Sequence, residues 1–199
     1  MKVNKNIKVY SAFATVLAIA LIVIFVFSAH LTSTSTTFAP NSIQAQSFSA
    51  QFDVLSHATT DQCAYLGNLA AIESSVNSQP ANAYFQGSCC SPMNFNHYIQ
   101  QRTDLKAYAN ISAIPQDPYN VSVGKVKQML GWYNNITLNQ SQQAVFDQAA
   151  TLTTDKSWCC CQCWAWYAHA GLAKYLIKNY NFNMTEIVTI TNLEDCCGG

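Results

Sequence analysis

The most hydrophobic stretch of the chain is residues 9–29, which contain no charged side chain. A helix rises about 1.5 Å per residue, so a segment of about 21 residues matches a hydrocarbon core about 30 Å thick. Lys2, Lys5 and Lys8 precede this stretch, and basic residues beside a membrane segment stay on the cytoplasmic side. The pattern predicts one membrane-spanning helix, with the N-terminus in the cytoplasm and the remainder of the chain outside.

A cleaved signal peptide is the alternative interpretation of this stretch. The apolar part of a signal peptide usually has about 7 to 15 residues, and small side chains mark the cut. Val26 and Ser28 would serve as such a site, but the apolar run is longer than cleavage needs, so we expect an uncleaved anchor. The expected organisation is a cytoplasmic tail at 1–8, a transmembrane signal anchor at 9–29, a Ser/Thr-rich linker at 30–52 and an extracytoplasmic cysteine-rich domain at 53–199.

Beyond the linker, hydrophobic residues recur mainly at helical spacing. Within residues 55–78 the apolar positions between Cys63 and Val76 predict a first helix. Further helices are predicted at 123–133, 141–153 and 158–179.

A short last helix is predicted to begin at Asn183, because Asn183 and Glu186 suit a capping box. Residues 86–118 are rich in proline and cysteine and are expected to form an irregular, site-bearing loop with one helical turn at 97–101. No segment has the sustained alternation of a strand. The sequence therefore predicts an all-α fold, in which an N-terminal transmembrane helix precedes a small irregular helical bundle.

Composition and charge narrow the class of protein. Half of the residues are hydrophobic and 10% are charged, against roughly 25% charged in soluble domains, which favours membrane attachment. The formal net charge is zero, so no polyanion-binding surface and no nucleic-acid partner are expected. The sequence has no Ser-His-Asp order, glycine-rich phosphate loop, His-Glu-x-x-His or paired-carboxylate signature, and we assign no catalytic residue.

Asparagine sequons occur only beyond the predicted membrane segment. They begin at Asn110, Asn120, Asn135, Asn139 and Asn183. Glycosylation of these sites would fit an outer-face location, and the alternative is polar surface loops in an asparagine-rich chain.

The nine cysteines are the most informative residues for function. They form the sets Cys89 and Cys90; Cys159, Cys160, Cys161 and Cys163; and Cys196 and Cys197, with Cys63 alone. A disulfide framework spreads its cysteines along the chain, and an odd total leaves one thiol over. A soft metal ion instead requires several thiolates that converge, and adjacent cysteines supply them.

Cys160 and Cys163 are the first pair that we expect to bind metal. They form a Cys-x-x-Cys pair at the start of the helix predicted over 158–179, where free backbone N–H groups favour the thiolate. As a helix, this segment would place them on one face with Cys159. Gly171 would let a neighbouring segment approach that face, whereas His169 points elsewhere and is expected to pack or face solvent.

The loop CCSPMNFNH supplies the other expected ligands, Cys89 and Cys90, with His97 as a further donor. Thiolate and imidazole together suit copper(I), and two thiolates from each cluster equally suit zinc. Met93 is expected to pack. The C-terminal Cys-Cys-Gly-Gly is expected to be mobile, and either closes a site or is a frayed end with one disulfide to Cys89 or Cys90.

The segment WCCCQCWAWYAHAGLAKYLIKNYNFNMTEIVTI resembles the C-terminal half of the PCYCGC-motif proteins, which are extracytoplasmic and usually lipid-anchored. In that family a Cys-x-x-Cys opens an alanine-rich helix, which a polar turn and a short helix follow. The matching positions are Cys160, Cys163, Ala165, Ala168, Leu176, Thr185, Glu186 and Ile187. Upstream, Cys89, Cys90 and His97 are a reduced counterpart of the family's Cys-x-Cys-Gly-Cys and histidine, and a membrane helix replaces the lipid anchor. The resemblance implies an extracytoplasmic helical domain with suspected metal binding.

Three functions follow from these residues. The first is a membrane-anchored extracytoplasmic protein that binds copper or zinc as a chaperone, a sensor or a store. The second is a disulfide-stabilised module of the cell surface that binds a protein partner. The third, a thiol-disulfide redox protein that uses Cys160 and Cys163, lacks the strand that normally precedes such a motif, so an enzyme is not expected.

Overall fold

The computed structural model describes residues 43–58 and 64–198. The predicted cytoplasmic tail, the predicted membrane segment and most of the predicted linker lie outside these residues, as does Cys63. Across the described residues, no helix combines the length and the apolar character that a membrane crossing needs.

The described part of the chain is mostly helical, as the sequence predicts. Its α-helices are α1 Ile43–Ser56, α2 Leu69–Ser78, α3 Phe95–Asp104, α4 Val123–Asn135, α5 Gln140–Leu152, α6 Trp164–Tyr180 and α7 Met184–Leu193. A 3₁₀ turn, Leu105–Tyr108, continues α3. The strands β1 Tyr84–Gln86 and β2 Asn120–Ser122, which the sequence does not predict, pair antiparallel with Phe85 opposite Val121.

Helices α4 and α5 and the start of α7 confirm the sequence prediction. Asn139 before α5 and Asn183 before α7 each accept a hydrogen bond from a first-turn backbone N–H, and Gln142 and Glu186 bond back to the two asparagines. These capping boxes satisfy backbone donors that the first turn of a helix leaves without partners. Local sequence therefore determines where these helices begin.

The single helix predicted within 55–78 ends at Ser78 as expected, but its predicted beginning is wrong. Helix α1 ends at Ser56, and α2 begins at Leu69, directly after its N-cap Asn68. Tyr65 and Gly67, which precede that cap, have φ values of 62° and 72°. These left-handed conformations do not fit within a right-handed helix.

Residues 43–52, part of the predicted linker, are helical. In α1, Phe48 and Leu55 are 5% and 2% exposed. The Phe48 ring packs edge-on against Tyr98 of α3, with the ring centroids 6.2 Å apart. Two buried side chains thus attach α1 to the core, although the polar composition of the segment resembles that of a spacer.

The predicted loop at 86–118 contains more helix than one turn. Asn94 accepts a hydrogen bond from the His97 N–H at 3.1 Å and so caps α3. Tyr98 and Leu105 are completely buried. Burial of this apolar face stabilises α3 despite the irregular sequence around it.

The most extensive helix pair in the domain is α4 with α6. A Cβ at Gly171 of α6 would lie 2.0 Å from the Met129 carbonyl oxygen and 2.9 Å from the Tyr133 backbone nitrogen. Nearby, the rings of Trp132 and Tyr175 stack with centroids 4.0 Å apart. The predicted close approach at Gly171 is confirmed, and the approaching segment is α4.

Arg102 of α3 joins α1 to the segment before β2. Its Nη1 donates to Gln51 Oε1 at 2.9 Å, to the Tyr98 hydroxyl at 2.8 Å and to Asp117 Oδ2 at 2.6 Å. Burial raises the pKa of Asp117, and the positive charge of Arg102 opposes that rise. The ion pair therefore compensates for the burial of the carboxylate.

We expect Gly171→Ala to lower the free energy of unfolding by about 3 kcal/mol, because the added methyl group collides with the backbone of α4. The matched control is Gly131→Ala in α4, where a Cβ meets no atom within 4 Å. That change should stabilise the helix by about 0.5–1 kcal/mol. Denaturant unfolding of both variants measures the two effects, and equal shifts of the same sign would contradict the packing described.

Arg102→Leu should destabilise the protein by about 3 kcal/mol at neutral pH, because Asp117 stays buried without its counter-charge. The loss of Arg102 also raises the pKa of Asp117 in the folded state, so the folded variant retains this proton at a pH where the unfolded chain has released it. The free energy of unfolding that Arg102→Leu loses relative to the unaltered protein should therefore be small in acid. It should grow as pH rises towards the raised pKa of Asp117.

Denaturant titrations across this pH range test the prediction. The control is Lys106→Leu, since Lys106 approaches the Phe48 ring at 5.4 Å and forms no ion pair with the described residues. A deficit of Arg102→Leu that does not vary with pH would show that Asp117 is not its cause.

Candidate metal centre

Three separate segments bring cysteines to one place in the domain. The first follows β1, the second precedes α6 and the third follows α7. Together they contribute Cys89, Cys90, Cys159, Cys160, Cys161, Cys163, Cys196 and Cys197. We refer to these eight residues as the cysteine centre.

The second segment is not helical, which corrects the helix predicted to begin at Trp158. Residues 158–163 form a series of bends, and α6 begins at Trp164 with Cys163 as its N-cap. The Cys163 N–H donates to the Cys161 carbonyl at 2.9 Å, which curls the chain before the helix. The helical face expected to contain the cysteines therefore does not exist.

His169 and the tryptophans hold this irregular segment in place. The buried His169 ring donates through Nδ1 to the Trp158 carbonyl at 2.9 Å, so the expectation that it packs away from the thiols is confirmed. Trp158 packs on Phe146 and Trp164 stacks on Phe85, with ring centroids 4.5 Å and 4.4 Å apart. Tertiary packing thus replaces helical hydrogen bonding here.

The C-terminal tail is docked, and the expectation that it is mobile is wrong for residues 196–198. The N–H groups of Cys89 and Ser91 donate to the carbonyls of Cys196 and Cys197, each at 3.0 Å. Ser91 Oγ also donates to the Cys197 carbonyl at 2.6 Å. Cys196 and Cys197 are 1% and 9% exposed, so the tail closes one side of the cysteine centre.

Gly198 completes this docking because only glycine fits its position. Its φ is 103°, and a Cβ there would lie 2.1 Å from Ser91 Oγ. Its carbonyl accepts hydrogen bonds from the Tyr119 hydroxyl at 3.1 Å and from His97 Nδ1 at 3.3 Å. The predicted ligand His97 thus contacts the tail backbone.

Seven pairs of neighbouring sulfur atoms in the cysteine centre lie 2.6 to 4.0 Å apart. The separations are 2.6 Å for Cys160 and Cys197, 2.9 Å for Cys90 and Cys160, 3.2 Å for Cys159 and Cys197, 3.4 Å for Cys89 and Cys90, 3.5 Å for Cys89 and Cys197, 3.6 Å for Cys90 and Cys161, and 4.0 Å for Cys89 and Cys196. Each exceeds the about 2.05 Å of a disulfide bond. Two thiolates on one tetrahedral zinc ion lie about 3.8 Å apart, from a Zn–S bond of about 2.3 Å. The four separations of 3.4 to 4.0 Å are of the size that metal ligands need, whereas those of 2.6 and 2.9 Å are shorter than two ligands of one ion require.

Within the described residues, three all-cysteine groups have sulfur atoms that all lie within 4.8 Å of one another. The groups are Cys89, Cys159, Cys160 and Cys197; Cys90, Cys160 and Cys161; and Cys159, Cys161 and Cys163. Each has enough soft donors to hold one metal ion.

The pKa of the Cys159 thiol is lowered, in contrast to those of Cys89, Cys160 and Cys163. Hydrogen bonds from neighbouring thiols, that of Cys163 first, hold the pKa of Cys159 far below its usual value. The bond to Cys159 is also the main cause that raises the pKa of Cys89, and it raises the pKa of Cys163 to about 11. Burial raises the pKa of Cys160 to about 12. These neighbours retain protons that a bound cation would displace.

The helix start does not favour thiolates at Cys160 and Cys163 in the way that the sequence suggests, since the pKa of both is raised. Two carboxylates add to the negative potential instead. Oxygen atoms of Asp155 and Asp195 and the sulfur of Cys197 all lie within 4.8 Å of one another. Such an acidic margin attracts cations to the cysteine centre.

Of the ligands predicted from sequence, the structure groups Cys89 and Cys90 each with Cys160, whereas Cys163 groups with Cys159 and Cys161. His97 belongs to no donor group formed by the described residues. Met93 packs against the hydrophobic core, as expected.

The ligand prediction omits four cysteines of the centre, Cys159, Cys161, Cys196 and Cys197. Each is adjacent in sequence to another cysteine of the centre. That adjacency is the available signal. A helix at 158–179 would direct Cys161 away from the other cysteines, and a mobile tail would offer no fixed ligand, so the prediction leaves these residues out.

No protein-family model matches the chain, and no curated protein and no solved structure matches it. The chemistry of the cysteine centre is therefore the basis for assigning a function.

We expect Gly198→Ala to displace the tail and to speed alkylation of Cys196 and Cys197 in the reduced, metal-free protein. The rate should rise about tenfold or more, the change that corresponds to strain of about 1.4 kcal/mol or more in the docked state. Mass spectrometry of each cysteine after timed alkylation measures it.

Gly67→Ala is the control, because Gly67 also has a positive φ of 72° but its added Cβ would make only an ordinary contact, 3.6 Å from Gln162 Oε1. That variant should leave both rates unchanged. Equal rates in the two variants would contradict the role of Gly198 in docking.

Proposed function

We propose that this protein binds soft metal ions, copper(I) or zinc, through the thiolates of the cysteine centre. The observation that carries the proposal is the convergence of eight cysteines from three segments, in which the sulfur atoms of each donor group all lie within 4.8 Å of one another. If these thiols lost their protons together, the thiolates would repel one another unless a cation lay among them. Metal binding gives such an arrangement a physical reason.

The donor set favours a soft ion. Each of the three groups consists of sulfur donors alone, and thiolates select copper(I) and zinc over hard ions such as magnesium or calcium. The two carboxylates beside Cys197 lie at the margin of the centre and attract cations of either kind.

The arrangement weighs against a thiol-disulfide enzyme. A redox pair needs two sulfur atoms that can bond to each other, but Cys160 and Cys163 fall into different donor groups. A disulfide-stabilised surface module is the remaining alternative, and thiol counting distinguishes it.

The proposal places the cysteine centre outside a membrane. Its support is the uncharged stretch at 9–29 with three preceding lysines, which would anchor the chain with its N-terminus in the cytoplasm. The resemblance of residues 158–190 to the C-terminal half of the PCYCGC-motif proteins agrees with an extracytoplasmic location. In that place the protein would accept, store or sense a metal ion, and a protein partner would receive or supply it.

The test is metal analysis with thiol counting on the same sample of the full chain, purified anaerobically in detergent under reducing conditions. We expect bound copper or zinc and cysteines that react with a thiol reagent once the metal is removed. A Cys159→Ser/Cys160→Ser double variant should lose most of the metal, because each of the three groups contains at least one of these two residues.

His97→Asn is the matched control, because His97 contacts the tail backbone and belongs to no donor group of the described residues. It should keep the metal content of the unaltered protein. Protein that has all its thiols reduced and yet binds neither metal would overturn the proposal, and cysteines fully paired in disulfides would favour the surface module.

A further inference from the structure

The three donor groups of the cysteine centre overlap in a regular way. The first and second share Cys160, the second and third share Cys161, and the first and third share Cys159. Each pair of groups thus has one cysteine in common, and the three shared residues are consecutive in sequence. The remaining members, Cys89, Cys90, Cys163 and Cys197, each belong to one group only.

A single ion does not account for this arrangement. A structural zinc ion takes four ligands, and copper(I) commonly takes two or three. The three groups contain seven different cysteines, and Cys196 lies 4.0 Å from Cys89 as well. One ion would leave at least three thiols packed together with no ligand role.

We propose that the cysteine centre holds three copper(I) ions, one in each donor group, with Cys159, Cys160 and Cys161 as bridging thiolates. This inference rests on the proposed function and deepens it. A thiolate sulfur has lone pairs enough to bind two ions at once, so three shared thiolates join three ions into one closed cluster. The members of single groups are then terminal ligands.

The size of the groups favours copper(I) over zinc. Two groups offer three thiols and the other offers four. Three-coordination by thiolates is common for copper(I), whereas zinc in structural sites is almost always four-coordinate. Zinc would need a further donor in two of the groups, and His97 belongs to neither.

The contacts of the Cys159 sulfur agree with a bridging role. Neighbouring thiols hydrogen-bond to this sulfur from several sides, and positions from which thiols donate are positions from which metal ions can bind. Loading the centre replaces those protons with copper(I) and releases them to solvent.

The first test is an anaerobic titration of the reduced full chain in detergent with copper(I), against a coloured copper(I) chelator as competitor. We expect a plateau at three ions per chain and a metal–metal scattering shell in the X-ray absorption spectrum of the loaded protein. One bound ion with no metal–metal shell would overturn the cluster and leave the proposed function intact. No bound copper(I) and no bound zinc would overturn both.

The second test compares a bridging with a terminal thiol. Cys161→Ser removes a member of two groups, and Cys90→Ser removes a member of one. Cys161 and Cys90 are both at least partly exposed, so neither change opens a cavity in the core, and far-UV circular dichroism checks that both variants fold. Each three-thiol group that loses a cysteine keeps two and binds copper(I) more weakly, so the comparison uses a chelator concentration that removes copper(I) from two thiolates but not from three. Under that competition Cys90→Ser should lose one ion, and Cys161→Ser should lose two ions and the metal–metal shell. Equal losses in the two variants would overturn the bridging assignment.

Discussion

Main-chain hydrogen bonds between the C-terminal tail and the loop after β1 are the contact on which the cysteine centre depends. The carbonyls of Cys196 and Cys197 accept them from the N–H groups of Cys89 and Ser91. They hold the sulfur atoms of Cys89 and Cys197, which are 108 residues apart in the chain, 3.5 Å from each other. Because the backbone makes these bonds, folding itself brings the sulfur atoms together. The entropic cost of ordering them is then offset by folding and not by the binding of an ion. A preorganised site of this kind binds an ion more tightly than one that the ion must assemble.

How far the sequence predicts this fold depends on whether the deciding contact is local. Helices α5 and α7 begin directly after Asn139 and Asn183, whose capping boxes each lie within four residues and can be recognised in the sequence. Helix α1 is different, since its place in the domain depends on Phe48 meeting Tyr98 of α3. No local pattern predicts a contact between residues so far apart, and the polar composition of residues 43–52 is typical of a spacer.

The same distinction applies to the cysteine centre. Clustered cysteines indicated metal chemistry from sequence alone, because adjacent thiols suit ligation better than disulfide bonding. The docked tail could not be predicted, since a terminal Gly-Gly usually marks a frayed end. In the fold, Gly198 serves the opposite purpose: its positive φ and missing Cβ allow the tail to lie against Ser91. His97, a plausible ligand by proximity in sequence, instead donates to the Gly198 carbonyl.

The absence of helix at 158–163 is what allows three consecutive cysteines to serve overlapping donor groups. In an α-helix, successive side chains diverge by about 100°, so Cys159, Cys160 and Cys161 would spread around more than half of the helix and one would face away from the others. The curled backbone before α6 lets each of the three sulfur atoms enter two groups. This backbone forgoes helical hydrogen bonds, and the burial of Trp158 and Trp164 against aromatic rings offsets that loss. The aromatic residues around the cysteines therefore act through packing, by stabilising the irregular segment that presents the thiols.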